Sequence, residues 1–400
     1  MPAFIFPGQG SQRPGMGRPW TEHPSWEVVE EASAAAGRDI GWLLTDADAD
    51  ELTQTHNAQL ATFTFSLIIL DAVERIGVEP TRLAGHSVGE YSALAASGAL
   101  GFDASVQLVA ERGEAMQAAA EARRGVMAVI VGCDADLADV ACRLAEGDVW
   151  LANINSTDES VIAGDPAAID TAVAFALELG AKRAYQARVG GAFHTPLMAP
   201  ARDRLRKMLQ TTVFHNPDTP LVANVDSRFH VDGDEWRHLL SAQLCSPVRW
   251  HQSILRLAGA LDPDLEEEKF FIELGPGDSL SATVRSTLPT AITVAVSIPA
   301  DLDRLVDTLA GDSSLHDYAS VHHGELLYVS ERVVISPSAG IFEPSDGPLE
   351  VGRQIEVGHL LGTVSDTDIR SGFAGVFQGY IAHPGERVQA GQPIAWLHSS

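Results

Sequence analysis

The pentapeptide GHSVG, which places Ser87 between Gly85 and Gly89, constrains the fold more than any other part of the sequence. It follows a short apolar run, RLAG, and precedes VGEYSALAASGAL, which has the composition of a helix. Glycines on both sides of a serine are typical of a sharp strand-to-helix turn, because side chains there would collide. The pentapeptide therefore predicts an α/β fold in which Ser87 is a nucleophile exposed at the turn. A glycine-bracketed turn with no catalytic role is the alternative.

Apolar strand-like runs alternate with longer helical patterns through the first 312 residues, which supports an α/β domain over 1–312. Within it, the pattern predicts a buried helix at 57–77. Residues 123–188 have their own sequence of strand-like and helical runs, which predicts a small inserted α+β lobe. This domain is long enough to enclose a sizeable hydrophobic core.

The composition changes after residue 312. Residues 313–325 are polar and predict a linker, and residues 326–400 are rich in strand and turn signals. This last segment repeats itself, because 339–364 can be aligned with 374–397 with the glycines in step. The repeat predicts a small all-β domain made of two similar halves.

Charge and cysteine content exclude several classes of function. A formal net charge of −27 argues against binding to nucleic acid or to an anionic membrane. The three cysteines have neither paired nor metal-ligand spacing, and no basic region followed by an apolar run begins the chain. The most apolar stretch, 60–70, is too short to span a bilayer. We therefore expect a cytoplasmic protein with no metal site.

A nucleophilic serine needs a base, and His194 is the best candidate among the fourteen histidines. It lies in GGAFHTPLM, which has two glycines and follows a strand-like run, as expected of a loop at the end of a strand. A structural or surface histidine is the alternative. His86 adjoins the serine, but neighbouring side chains point in different directions, so it is a poor candidate.

Six motifs together resemble those of one family. They are FPGQGSQ (6–12), GHSVGEYSAL (85–94), ERGEAMQ (111–117), GAFHTPLM (191–198), QLCSPVRW (243–250) and ELGPGDSL (273–280). In order and spacing they resemble the malonyl-CoA:acyl-carrier-protein transacylases, the acyltransferases of fatty-acid and polyketide synthesis. The resemblance covers about residues 1–310. It implies an α/β-hydrolase-like core with an inserted ferredoxin-like lobe.

The resemblance also implies the catalytic roles. Ser87 matches the nucleophile and His194 the general base, and the backbone carbonyl of Gln243 takes the place of a triad aspartate. The amides of Gln9 and Val88 match the oxyanion hole. The implied reaction is ping-pong: the serine takes malonyl from malonyl-CoA, and the phosphopantetheine thiol of an acyl carrier protein then takes it from the serine. No cofactor is expected.

Three further residues are matched to the acyl pocket. Arg112 matches the residue that holds the free carboxylate of malonate, for which a planar guanidinium is well suited. Gln59 stands in NAQLA, which departs from the family's usual T-Q-P-A-like stretch, so only a pocket role is expected of it. Phe193 would fill the space of a methyl branch, which implies a preference for malonyl over methylmalonyl.

The C-terminal segment, 326–400, resembles a biotinyl/lipoyl carrier domain, a flattened β-barrel of two halves. Such domains carry their cofactor on a lysine in the hairpin that joins the halves, here 364–371. That hairpin has no lysine, and none follows Lys269. Attachment of biotin or lipoate is therefore excluded, and the partner of this domain is unknown.

A basic segment brackets the candidate base. Residues 182–207 carry seven basic side chains and one acid, although the whole chain is strongly acidic. Acyl carrier proteins are acidic, so we expect Arg202, Arg206 and Lys207 to dock the carrier. The alternative is that these arginines pair with carboxylates of the same chain.

Two other functions remain open at this point. One is an acyl hydrolase that clears acyl groups from stalled carrier proteins with the same serine and histidine. The other is a non-catalytic scaffold whose function lies in the C-terminal domain. Arg112 argues against the hydrolase, and the intact set of Ser87, His194 and Arg112 argues against the scaffold.

Overall fold

The computed structural model describes residues 2–187, 189–261, 269–311, 331–345, 349–355, 359–365, 367–371, 375–389 and 392–398. The chain divides into two compact units, Met1–Asp312 and Ser313–Ser400. The expected linker at 313–325 lies outside the described residues.

The first unit alternates strands with helices. Its strands are β1 (Ala3–Phe6), β2 (Arg82–Gly85), β3 (Val126–Val131), β4 (Val149–Ile154), β5 (Glu159–Gly164), β6 (Arg183–Gln186), β7 (Leu221–Val222), β8 (Phe229–His230), β9 (Phe270–Leu274) and β10 (Ile292–Val296). Its α-helices are α1 (Glu27–Ala36), α2 (Ile40–Thr45), α3 (Ala49–Thr53), α4 (Thr55–Arg75), α5 (Gly89–Ala96), α6 (Phe102–Ala122), α7 (Ala135–Leu144), α8 (Pro166–Glu178), α9 (Ala199–Thr211), α10 (Trp236–Gln243), α11 (Trp250–Leu257), α12 (Ser279–Thr287) and α13 (Ala300–Gly311). Short 3-10 helices lie at Arg18–Trp20, Pro24–Trp26, Pro196–Met198 and Gly233–Glu235.

The main sheet has the strand order β10-β9-β1-β2-β7-β8. All its pairs are parallel except that of β7 with β8. Parallel strands end at the same edge of a sheet, so the loops that follow β1 and β2 lie side by side. These loops carry Gln9 and Ser87. The α/β prediction is confirmed, and the sheet explains why two distant motifs meet.

Helix α4 forms the centre of the first unit. It is buried along nearly its whole length, as expected of a helix that is apolar on all sides. The sequence predicted this helix at 57–77, and the structure places it at Thr55–Arg75. Across the described residues, no helix combines the length and the apolar character needed to cross a membrane.

The inserted lobe lies between β3 and β6. Its strands form an antiparallel sheet in the order β4-β5-β3-β6. Helices α7 and α8 and this sheet contribute their buried apolar side chains to one hydrophobic cluster. The sequence analysis did not assign β4. Its register shifts between Leu151 and Asn153, which interrupts the apolar alternation by which a strand is recognised.

The second unit is all-β over its described residues. Its strands are β11 (Glu331–Ile335), β12 (Gly340–Pro344), β13 (Gln354–Ile355), β14 (Leu360–Val364), β15 (Thr367–Arg370), β16 (Gly375–Tyr380), β17 (Arg387–Val388) and β18 (Pro393–His398). They form two sheets, β11-β18-β16-β13 and β15-β14-β12-β17, around one hydrophobic cluster.

The sequence repeat is visible in the strand pairing of the second unit. The repeats begin with β12 and β16, and each of these pairs with the short strand of the other repeat, β17 and β13 respectively. Each also pairs with the last strand of its own repeat, β14 and β18. The two sheets thus have equivalent strand orders, as expected of two similar halves.

Candidate active site

Ser87 lies in a strained turn between β2 and α5. Its φ is 55°, in the left-handed region that non-glycine residues rarely adopt. The glycines on either side are required by close packing: a Cβ on Gly85 would overlap the backbone of Gly89, and one on Gly89 would overlap the carbonyl oxygen of Phe6. The turn therefore packs directly against the end of β1.

His194 contacts the Ser87 hydroxyl. Its Nε2 lies 2.8 Å from Ser87 Oγ, and its Nδ1 lies 2.9 Å from the backbone oxygen of Gln243. A carbonyl oxygen only accepts hydrogen bonds, so Nδ1 carries the proton and Nε2 is free to accept one from the serine. Burial and the nearby charge of Arg112 lower the pKa of His194 to about 3, so the imidazole is neutral at physiological pH.

Asn224 fixes both ends of the serine turn. Its Oδ1 accepts the backbone N–H of Ser87 at 2.8 Å, and its Nδ2 donates to the carbonyl oxygen of Gly85 at 2.6 Å. Its own backbone N–H donates to the carboxylate of Glu90. Since the Ser87 amide is occupied, the amide of Val88, at the start of α5, is the next donor along the turn.

Arg112 lies directly beside the nucleophile and is fully buried. Its NH2 nitrogen lies 3.2 Å from Ser87 Oγ and 2.8 Å from Gln243 Oε1, and its NH1 lies 2.6 Å from Gln59 Oε1. The guanidinium also lies over the ring of Tyr91, 5.5 Å from its centroid. Burial lowers the pKa of Arg112. Its Nε has no hydrogen-bond partner among the residues that the structure describes.

A cleft opens on the other side of the serine turn. It has a volume of about 590 Å³ and is lined by Gln9 and His86, by residues of the inserted lobe such as Asn153 and Asn155, and by α12. His86 Nε2 lies 3.3 Å from Asn155 Oδ1, so this ring faces the inserted lobe rather than His194. Burial lowers the pKa of His86 to about 4.

Phe193 is buried beside the candidate base. Its ring edge lies against Gly191, where an added Cβ would come within 2.9 Å of the ring. Its backbone leads directly into His194, whose φ of 60° is also left-handed. This strained turn directs the imidazole toward Ser87.

Two of the three predicted docking residues line one groove. Arg202 and Arg206 of α9 lie with Arg237 and His238 of α10 around a groove of about 510 Å³. Lys207 is exposed on α9. The alternative of internal pairing holds for Arg204, which binds Glu111 and Glu114, and for the docking candidate Arg202, which contacts Asp203. Arg188, another base of this segment, lies outside the described residues.

The described residues contain no group of three or more histidine, cysteine or acidic side chains arranged to hold a metal ion. The candidate site is thus built from a serine, a histidine, an arginine and amide groups. This is a composition suited to acyl transfer.

The comparison with known proteins agrees with this geometry. Residues 3–316 match the acyl transferase domain family. The malonyl CoA-acyl carrier protein transacylase of Bacillus subtilis (strain 168) is 39% identical over 312 residues, which is 77% of this chain and 96% of that protein. The enzyme of the same name from Escherichia coli (strain K12) is 38% identical over 304 residues, 74% of this chain and 96% of that protein. The chain belongs to the malonyl-CoA:acyl-carrier-protein transacylase family.

Solved structures of the family have the same fold. An acyl carrier protein S-malonyltransferase from Vibrio cholerae has a TM-score of 0.72 and 36% identity, over 76% of this chain and 99% of that one. A malonyl-transacylase in complex with its type II PKS acyl-carrier protein also has a TM-score of 0.72, with 34% identity over 78% of this chain and 99% of that one.

Two residues of this transacylase site were not found from the sequence. Glu90 stands inside the serine motif, but its role depends on contacts that no spacing reveals. Asn224 is 137 residues from Ser87 and belongs to none of the six motifs. Its position after β7, beside β2 in the main sheet, is the structural reason that it reaches the serine turn.

Proposed function

We propose that the protein transfers malonyl from malonyl-CoA to the phosphopantetheine thiol of an acyl carrier protein through a malonyl ester on Ser87. The observation that carries this proposal is the buried Arg112 guanidinium 3.2 Å from Ser87 Oγ. An acyl group on this serine has a cation beside it, which favours an acyl group that ends in a carboxylate. The malonyl CoA-acyl carrier protein transacylases of Bacillus subtilis and Escherichia coli, which belong to the same family, support the assignment.

In the first half-reaction, Ser87 Oγ attacks the thioester carbonyl while His194 Nε2 takes the hydroxyl proton. The resulting imidazolium is stabilised by the carbonyl oxygen of Gln243 at Nδ1. Collapse of the tetrahedral intermediate breaks the C–S bond, and the proton passes from Nε2 to the departing thiolate of coenzyme A. The products are malonyl-Ser87 and free coenzyme A.

The oxyanion of that intermediate is assigned to the amides of Gln9 and Val88. Val88 follows the nucleophile at the N-terminus of α5, where the helix dipole favours negative charge. Gln9 lies in the loop after β1, against which the serine turn packs. One such donor contributes about 3–4 kcal/mol to transition-state stabilisation.

Arg112 selects the acyl group. Gln59 and Gln243 accept hydrogen bonds from its two terminal nitrogens and hold the guanidinium plane in place. A malonyl carboxylate pairs with this cation, whereas an acetyl group leaves it unpaired. Phe193 limits the space beside the base and favours malonyl over methylmalonyl, since one methyl group in such a pocket is worth about 1–3 kcal/mol.

In the second half-reaction, the carrier thiol gives its proton to His194 and attacks the serine ester, and Ser87 recovers a proton from the imidazolium. The cleft lined by Gln9, His86 and the inserted lobe gives a thioester chain access to the serine turn. Incubation with malonyl-CoA and a carrier protein tests this reaction. The phosphopantetheinylated carrier is expected to gain one malonyl group by mass, and the same carrier without its arm is expected to gain none.

The docking role of the α9–α10 groove is part of this proposal. Arg202, Arg206 and Arg237 bring three basic side chains to one groove in an otherwise acidic protein, although Arg202 also contacts Asp203 and Arg237 contacts Asp234. An acidic carrier is repelled by the net charge of −27 and needs such a local patch to approach. Lys207 adds to the charge of the same helix.

Replacing Arg202 and Arg206 together with glutamate is expected to slow malonyl transfer to the carrier at least about tenfold and to leave loading from coenzyme A nearly unchanged. The matched control reverses Arg143 and Arg304, two exposed arginines outside the groove. Transfer by the wild type is also expected to fall as salt concentration rises. Equal slowing in both double variants, or of both half-reactions, would contradict a docking role.

For the second unit we propose a biotinyl/lipoyl-like β-barrel that carries no cofactor, and for the inserted lobe a ferredoxin-like fold. The crossed pairing of β12 with β17 and of β16 with β13 supports two intertwined halves. The β3-α7-β4-β5-α8-β6 order supports the ferredoxin-like assignment. The hairpin strand β15 carries Asp368 and Arg370 but no lysine, so this domain is an interaction or stabilising module.

A chain that ends at residue 312 is expected to load malonyl on Ser87 at a rate within about twofold of the full-length protein. The reason is that every proposed catalytic residue lies in the first unit, and the match to the acyl transferase domain family covers residues 3–316. Intact-mass analysis of both chains after brief exposure to malonyl-CoA checks this. Loss of loading by a folded short chain would show that the second unit contributes to the chemistry.

A further inference from the structure

Glu90 is a buried carboxylate directly beneath the nucleophile. It lies in the first turn of α5 and is 1% exposed. Its Oε1 accepts the backbone N–H of Asn224 at 2.6 Å, and its Oε2 accepts Gln243 Nε2 at 2.5 Å. A carboxylate buried to this degree requires such donors. None of the catalytic steps above uses it.

The two ends of the Gln243 side chain have different partners. Its Oε1 accepts from Arg112 NH2 at 2.8 Å, and its Nε2 donates to Glu90 and also to the carbonyl oxygen of Ser87 at 2.9 Å. An amide can be turned end for end with little change in shape, so its partners decide its direction. An ionised carboxylate only accepts, and therefore requires Nε2 to face it.

We propose that Glu90 is a positioning residue for acyl selectivity: its carboxylate fixes the direction of the Gln243 amide, which in turn presents Oε1 to Arg112 and holds the guanidinium beside Ser87. The proposal rests on the proposed function, because it concerns the recognition of the malonyl carboxylate. It also explains why an acidic residue is retained in the core next to a nucleophile, where its own charge assists no catalytic step.

The variant Glu90→Gln tests this chain of contacts. Its oxygen still accepts from Asn224, but its NH2 group then faces Gln243 Nε2, which places two donors together. Gln243 then either keeps two donors side by side or turns. A turned amide loses its bond to the Ser87 carbonyl oxygen and presents its NH2 group to Arg112, which also only donates. Measured above the pKa of Glu90, where the wild-type group is ionised, the rate of Ser87 loading from malonyl-CoA is therefore expected to fall at least about tenfold more than the rate of loading from acetyl-CoA.

Glu273→Gln is the matched control. Glu273 is also a buried carboxylate that accepts two hydrogen bonds, here from the backbone N–H groups of Leu280 and Ser281 at the start of α12. Above the pKa values of both groups, its replacement removes the same charge but touches neither Gln243 nor Arg112. The ratio of malonyl to acetyl loading is expected to stay at the wild-type value in this variant.

A pH profile of the wild type gives a readout that does not depend on a variant folding. Burial raises the pKa of Glu90 to about 8, against the opposing effects of its two hydrogen bonds and of Arg112, while Asp226 raises it further. Above this pKa the carboxylate only accepts and, together with the Ser87 carbonyl oxygen, fixes the direction of the Gln243 amide. Below it the protonated group can donate to Gln243, and only the Ser87 carbonyl oxygen and Arg112 still hold that direction. The malonyl-to-acetyl ratio is therefore expected to rise as pH increases through about 8. His194 and His86 have pKa values lowered to about 3 and 4, so neither titrates in this range.

Two results would overturn the proposal: a malonyl-to-acetyl ratio that stays at the wild-type value in Glu90→Gln, or a wild-type ratio that stays flat with pH. If Glu90→Gln does not fold, the wild-type profile alone decides. A wild type that loads no malonyl at any pH would instead contradict the proposed function, which makes the two failures distinguishable.

Discussion

Replacement of Ser87 with alanine is expected to abolish malonyl loading, with a decrease in rate of more than about a thousandfold. The hydroxyl is the group that His194 Nε2 and Arg112 both contact, at 2.8 and 3.2 Å. Without it the thioester carbonyl has no nucleophile at the position that the base can activate. Intact-mass analysis after exposure to malonyl-CoA is expected to show the unmodified protein.

The control for this variant is Ser92→Ala, which makes the same chemical change five residues further along the chain, within α5. The Ser92 hydroxyl is buried and has no hydrogen-bond partner within the described part of the chain. Its removal is expected to leave loading at the wild-type level. A malonyl group that still appears on the Ser87→Ala protein would place the nucleophile elsewhere.

Replacement of Arg112 with alanine is expected to reduce loading from malonyl-CoA about 10- to 150-fold more than loading from acetyl-CoA. This range corresponds to a charge-assisted hydrogen-bonded pair worth about 1.5–3 kcal/mol. Removal of a buried side chain also leaves a cavity, but the cavity affects both acyl donors, so the ratio isolates the carboxylate contact.

The conservative variant Arg112→Lys is expected to fall between wild type and Arg112→Ala, because lysine keeps the charge but cannot reach Gln59 and Gln243 with one planar group. Arg204→Ala, an exposed arginine of α9, serves as the control and is expected to leave the ratio unchanged. A uniform loss across acyl donors in Arg112→Ala would mean that the arginine is structural.

The catalytic residues of the site could be predicted from the sequence because they lie in short, recognisable motifs. A serine between two glycines, after an apolar run and before a helical one, is typical of a strand-to-helix turn, and the structure has β2 and α5 there. The long apolar run of α4 and the repeat of the second unit are equally local signals. Each is a periodic or compositional pattern that secondary structure must follow.

The residues that hold the catalytic groups in position could not be predicted, because their contacts depend on which strands and helices are neighbours in the fold. Asn224 reaches Ser87 only because β7 lies beside β2 in the main sheet. Arg237 and Arg202 line one groove because α9 and α10 pack together. Neither arginine belongs to any of the six motifs, so the sequence did not link them. The strand β4 was missed because its bulge breaks the alternation of buried side chains.

The lifetime of the malonyl-enzyme tests the central claim most directly. The protein is loaded briefly with malonyl-CoA and freed of excess donor. The malonyl group on Ser87 is then followed by intact mass, with and without a phosphopantetheinylated carrier protein. We expect an ester that is stable in buffer for at least many turnover times and that is lost rapidly, with equal gain on the carrier, once the carrier is added. Rapid loss of the malonyl group at the same rate with and without the carrier, with release of free malonate, would contradict transfer and identify the protein as a hydrolase.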